Sequence, residues 1–150
     1  MRRTRWIELI SLLGCLMLFG TWHRLVAQQP RSVVLSRLYT GPDNLSHLGQ
    51  TQVNMAASGA GAMTSETITV SGAQFVRFSA GHAQDWHNPS HRQYAVILSG
   101  KMEVEVSGGQ KMLMEPGRAI LAEDMAGKGH ITRAVGNEDL VFLLVQFPDK

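Results

Sequence analysis

The sequence of 150 residues contains one cysteine, Cys15, placed in an apolar stretch near the N-terminus. A single cysteine forms no internal disulfide, and beyond residue 15 no thiol is available for catalysis or metal binding. Any metal site there must use histidine, carboxylates or amides. Charged residues make up only 17% of the chain and aromatic residues 7%, so it is neither an acidic disordered tail nor a lysine-rich polyanion binder. The formal net charge of +2 is unevenly placed: Arg2, Arg3, Arg5 and Arg24 face only Glu8 in residues 1–27, and the remainder carries a balance of −1. That leaves no electrostatic groove for nucleic acid, and no helix-based reader is visible. A nucleophile elbow, a P-loop, a dinucleotide fingerprint and a zinc finger are all missing.

What is present begins with an address. A basic start (Met1 to Arg5), an apolar run (Ile7 to Trp22) and Leu25-Val26-Ala27 before Gln28 follow the order of a secretory signal, with cleavage expected after Ala27. The run is about 16 residues, short of the roughly 20 that span a bilayer. An uncleaved membrane anchor at residues 7–22 is the alternative. Cys15, in Leu-Leu-Gly-Cys, is signal filler rather than a lipid attachment site, because the apolar run continues past it. The chain is therefore expected to be exported, periplasmic or secreted.

Residues 28–65 are rich in Gln, Ser, Thr, Gly and Ala and read as an extended arm, with one strand near Gln50–Asn54. From residue 66 short strand-like runs recur at roughly 8- to 12-residue spacing, the pattern of a sandwich or barrel. They are Thr67–Val70, Gln74–Phe78, Gln93–Leu98, Met102–Val106, Lys111–Met114, Ala119–Ala122, Ile131–Val135 and Leu140–Phe147. Met102, Val104 and Val106 alternate with Lys101, Glu103 and Glu105, a strand with one wet face. Leu140 to Val145 is unbroken apolar sequence, as expected of a central strand buried on both faces. With no long helical period after residue 27, the reading is all-β.

Of the six histidines, His82, His87, His91 and His130 fall in the β region. His87, Pro89, His91 and Gln93 are spaced by two, so an extended chain would turn all four to one face, with Pro89 interrupting the strand. Imidazoles on neighbouring barrel strands can hold a divalent metal without thiolates. Trp86 and Tyr94 flank this segment and suit the wall of a small-molecule pocket, although Trp86 serves equally as core at a barrel mouth. Asp85 and Asp124 are candidate acids or bases, or turn carboxylates. Arg92, Arg118 and Arg133 are candidate anion ligands, with solvated outer faces as the default, and His82 is most simply a loop residue.

The spacing Gly81, five residues, His87, one, Pro89, three, Gln93, six, Gly100 resembles the first cupin motif, G-x5-H-x-H-x3-4-E-x6-G. The second motif is echoed by Pro116-Gly117 and by His130 after an acidic, glycine-containing loop. The resemblance covers about Thr67 to Phe147 and implies a double-stranded β-helix, a jelly-roll barrel, over residues 66–150. It also implies a ligand set, from which this chain departs. Pro89 stands where the second histidine belongs, Gln93 where the glutamate belongs, and Ala134 where the asparagine belongs. His87 and His130 remain, with Gln93 offering a neutral carbonyl oxygen and His91 a replacement imidazole. This set either holds Fe, Mn, Ni, Cu or Zn loosely or forms a neutral hydrogen-bonded cluster.

Three functions follow: an exported cupin that binds a small molecule, with or without a metal; a metal-dependent enzyme of dioxygenase or isomerase type; and a structural subunit. The partners expected are a small-molecule ligand and a second copy in a homodimer. Membrane contact is confined to an uncleaved signal segment, and no nucleic acid is expected.

Overall fold

The computed structural model describes residues 32–148. The signal segment expected at residues 1–27 lies outside them. Strands β1 (Ser32–Thr40), β2 (Ser46–Asn54), β5 (Gly72–Phe78), β7 (Gln93–Ser99), β10 (Ala119–Glu123) and β12 (Leu140–Gln146) form one sheet in the order β2-β1-β10-β7-β12-β5. Strands β6 (Ala83–His87), β8 (Lys101–Glu105), β9 (Lys111–Met114) and β11 (His130–Val135) form the second, ordered β6-β11-β8-β9. A separate ribbon pairs β3 (Ala56–Gly59) with β4 (Ala62–Thr64). The result is the all-β jelly-roll barrel that the spacing of runs and turns led us to expect.

The two sheets face each other over one core. The larger sheet contributes Leu38, Ile97, Ile120, Leu140 and Phe142, and the smaller one Met102, Val104 and Ala134. Alternation produces this arrangement directly. On β7, Gln93, Ala95 and Ile97 are buried while Tyr94 and Val96 are half-exposed, and on β8, Met102 and Val104 are buried while Glu103 and Glu105 point outward. Outside, those glutamates meet Arg133 and Lys111 in an ion-pair network. Strand β12 pairs with β5 on one edge and β7 on the other, so it is central. Only its inward residues Leu140 and Phe142 are buried, however, and the outward residues are half-buried, because the outer face of this sheet carries no second layer among the described residues.

Three expected features differ. The segment read as an arm contributes two full strands of the larger sheet: β1 runs parallel to β10, pairing Leu38 with Ala122, and antiparallel to β2 along its whole length. Leu38 is 1% exposed and belongs to the core, so residues 32–54 are part of the barrel. Thr67–Val70 forms no strand; Ile68 and Val70 are exposed and lie in a connection. Ala83–His87, absent from the expected strands, is strand β6, held by pairing to β11 although its polar sequence shows no alternation.

Candidate functional site

The site lies where β6 ends and β11 begins. Antiparallel pairing sets His130 opposite His87, with a register shift between His130 and Thr132, and the two rings lie 4.4 Å apart, centre to centre. Gln93, at the start of β7, faces them from the other sheet. All three line a cavity of about 310 Å³ between the sheets, together with Asn88, Pro89 and Thr132. Val76, Phe78, Met102, Ala122, Phe142 and Leu144 form its apolar part.

Each imidazole is held by its Nδ1. His87 Nδ1–H donates to the carbonyl of Asp85 over 2.7 Å, and His130 Nδ1–H donates to Asp124 Oδ2 over 2.8 Å. These bonds fix both tautomers and leave each Nε2 with a lone pair. Burial holds the His87 imidazole below the ordinary histidine value, against the opposing effect of its bond to Asp85, and the neighbouring His130 adds to the depression. Gln93 is buried, and its Oε1 has no hydrogen-bond partner. The site thus presents the Nε2 edges of two imidazoles and one unsatisfied amide oxygen.

Behind His130 lies a buried anchor. Asp124 is fully buried, and its Oδ2 also accepts from Ser46 Oγ over 2.8 Å, while Oδ1 has no partner. Asn88 Nδ2 donates to the Asp124 carbonyl over 2.6 Å and to that of Ala126 over 3.1 Å. The 124–129 loop is thereby clamped between the β1–β2 hairpin and the end of β6. Gly127 and Gly129 adopt positive φ angles of 76° and 75°, and a Cβ on them would run into the carbonyl oxygens of Asn44 and His87. Only glycine permits both the backbone geometry and the approach.

The expected site residues therefore divide. His87, Gln93 and His130 come together at the cavity, as does Pro89, whereas His91, Trp86 and Tyr94 do not line it. His91 leaves the common face because residues 88–92 form a loop rather than a strand, and its Nδ1 lies 3.2 Å from Ser90 Oγ. Trp86 lies under the Lys128 ammonium, 3.6 Å from the ring centre. Tyr94 follows inward Gln93 by one residue and so points outward, against Phe147 and an apolar groove with Val33, Leu35 and Val145. Of the two candidate carboxylates, Asp124 reaches the site through His130, while the Asp85 side chain accepts from the Trp86 amide. Arg92 pairs with Glu123, Arg133 with Glu103 and Glu105, and Arg118 is exposed. His82 packs on Phe78 in a turn. Ser46 had no local signal: its role depends on a contact with Asp124, 78 residues away.

Some solved structures are similar to this chain in part. A cupin domain from Bordetella pertussis Tohama I aligns with a TM-score of 0.43 at 19% identity, over 51% of this chain and 80% of its own. A cupin superfamily protein from Desulfitobacterium hafniense aligns with a TM-score of 0.42 at 15% identity, over 78% and 79% of the two chains. No curated protein matches the sequence. The family model described as "Cupin domain" matches residues 74–146, the stretch that contains His87, Gln93 and His130. Over these residues the chain is a cupin domain.

Proposed function

We propose that the protein is an exported cupin that binds a small molecule in its barrel cavity, against His87, Gln93 and His130. One observation carries this reading: Gln93 Oε1 is buried without a partner, on the wall of a cavity of about 310 Å³. Leaving a buried amide oxygen unsatisfied costs about 1–3 kcal/mol, and a ligand donor entering the cavity would recover it. The volume is at the lower end of ligand pockets, about 300–1,000 Å³. Export rests on the order of basic, apolar and small residues in 1–27, and N-terminal sequencing of the secreted or periplasmic protein tests it.

The second reading is a metal-dependent enzyme of dioxygenase or isomerase type. Among the described residues no three of His, Cys, Asp and Glu group as a ligand set. The unpartnered Gln93 oxygen and the two Nδ1-anchored imidazoles nevertheless fit a divalent cation as three neutral donors. Imidazoles that donate their other N–H to a carboxylate or carbonyl are the usual supported form of histidine ligands. His87, Gln93 and His130 would hold the ion, which when bound supplies Lewis-acid polarisation of a ligand oxygen. Metal analysis of the purified protein separates the readings. Stoichiometric Fe, Mn, Ni, Cu or Zn that disappears in His87→Ala and His130→Ala supports the enzyme, and protein that stays metal-free after reconstitution rules it out.

A further inference from the structure

We propose that the cavity selects an uncharged ligand with a hydrogen-donating edge and an apolar face. This rests on the cavity being the binding site and concerns the chemical class it accepts. Among the described residues no Asp, Glu, Lys or Arg lines the cavity. Its polar wall is made of amides, two hydroxyls and imidazoles, with Asn88, Gln93, Ser90 and Thr132 beside His87 and His130. The opposing wall includes Phe78 and Phe142, packed edge to face at 5.4 Å.

Several charged side chains of the barrel are paired with one another. Arg37 and Arg92 both pair with Glu123, and Arg133 and Lys111 are tied to Glu103 and Glu105 on the outside of the smaller sheet. The fully buried Asp124 bonds to His130 from behind the cavity wall. Among the described lining residues a bound carboxylate or phosphate would meet no lysine or arginine, and it would face the Asp124 carboxylate behind His130. A bound ammonium would find acceptors but no carboxylate on the wall itself. Burying either charge unpaired costs several kcal/mol. The unpartnered Gln93 Oε1 accepts only O–H or N–H donors, and the Nε2 of a neutral imidazole held through Nδ1–H accepts likewise. Such a ligand resembles a pyranose or an aromatic carboxamide.

A matched series tests this: nicotinamide, nicotinate and 3-picolylamine, which differ in one substituent, titrated at millimolar concentration into the purified protein, before and after EDTA treatment. The readouts are the Met102 methyl and Gln93 side-chain NMR signals, both at the cavity wall. The carboxamide is expected to shift both, with an affinity at least about tenfold above that of either charged partner. Ala122→Trp, which fills the cavity, should abolish the shifts, and Gln93→Leu, which removes an unsatisfied buried atom and keeps the fold, should weaken binding about fivefold or more. A carboxylate or amine that binds as tightly as the amide in either sample overturns the uncharged class while leaving the cavity as the binding site. No shift with any of the three overturns both.

Discussion

His130 donates its Nδ1 proton to Asp124 Oδ2 over 2.8 Å inside the protein, where Asp124 is fully buried and His130 is 5% exposed. The carboxylate is steadied in turn by Ser46 Oγ at the start of β2. A strand from the N-terminal part of the chain thus fixes the tautomer of a cavity imidazole on β11. The links run from sequence position to buried hydrogen bond to the atom presented to a ligand.

Removing either partner should have unequal costs. Asp124→Ala leaves His130 Nδ1–H buried with nothing to accept it, and we expect a loss of about 3 kcal/mol in unfolding free energy. Ser46→Ala removes one of two donors to the same oxygen and should cost about 1 kcal/mol. Urea denaturation measures both. An Asp124→Ala protein within about 0.5 kcal/mol of the parent would show that the bond does not anchor the loop.

Gln93→Leu should separate stability from binding. The parent buries Gln93 Oε1 without a partner, so an apolar side chain of similar size relieves a desolvation cost. We expect thermal stability of the free protein to be unchanged or raised, by up to about 1–2 kcal/mol, and ligand binding or metal uptake to fall. A clear drop in melting temperature would mean that the amide is satisfied in the free protein.

Leu38→Ala tests the reassignment of the supposed arm to the barrel. Leu38 is 1% exposed, in the core between β2 and β10, and truncating such a leucine costs about 2–5 kcal/mol. A residue on a detachable arm would cost almost nothing. The same scan should find Val34→Ala, at 51% exposure, nearly neutral.

The strands that were legible in the sequence are those whose two faces differ. Strands β7 to β12 alternate or carry unbroken apolar runs between glycine- and proline-marked turns, and their bounds agree with the expected ones to within a residue or two. Strand β6, AQDWH, carries no such contrast because its residues are mostly exposed, and it exists through pairing with β11. Strand β1 is held by a parallel partner more than 80 residues away, which leaves no local trace. At the site, motif spacing located His87, Gln93 and His130. The period-of-two argument failed at His91 because it assumed a strand where residues 88–92 form a loop.

Gly129→Ala should damage the site more than its size suggests. Gly129 has φ of 75°, and an added Cβ meets the backbone carbonyl oxygen of His87 rather than a movable side chain. Strain and clash together should cost about 2 kcal/mol or more and push β6 away from β11. Loss of ligand-induced NMR shifts at His87, with retained far-UV circular dichroism, is the expected signature. A variant that binds as the parent does would show that the loop can move freely.

The acid limb of stability should depend on Glu123. Burial raises its carboxyl pKa, but hydrogen bonds from Arg92, at 2.7 Å, and from Arg37 prevail and hold it below the ordinary value of 4.5. A depressed carboxyl contributes stability that is full above its unfolded value and is lost as pH falls through the folded one. Glu123→Gln removes that contribution, so the variant should be less stable than the parent at neutral pH by about 1 kcal/mol, the arginines being partly solvated. The gap should close in acid, below the ordinary carboxyl value of 4.5, as Glu123 takes up its proton. Arg77 holds Asp139 low and Arg133 holds Glu105 low, but both titrate in parent and variant alike, so the difference isolates Glu123. Urea midpoints at the two pH values measure it, and a gap that stays constant would mean that Glu123 is not depressed in the folded protein.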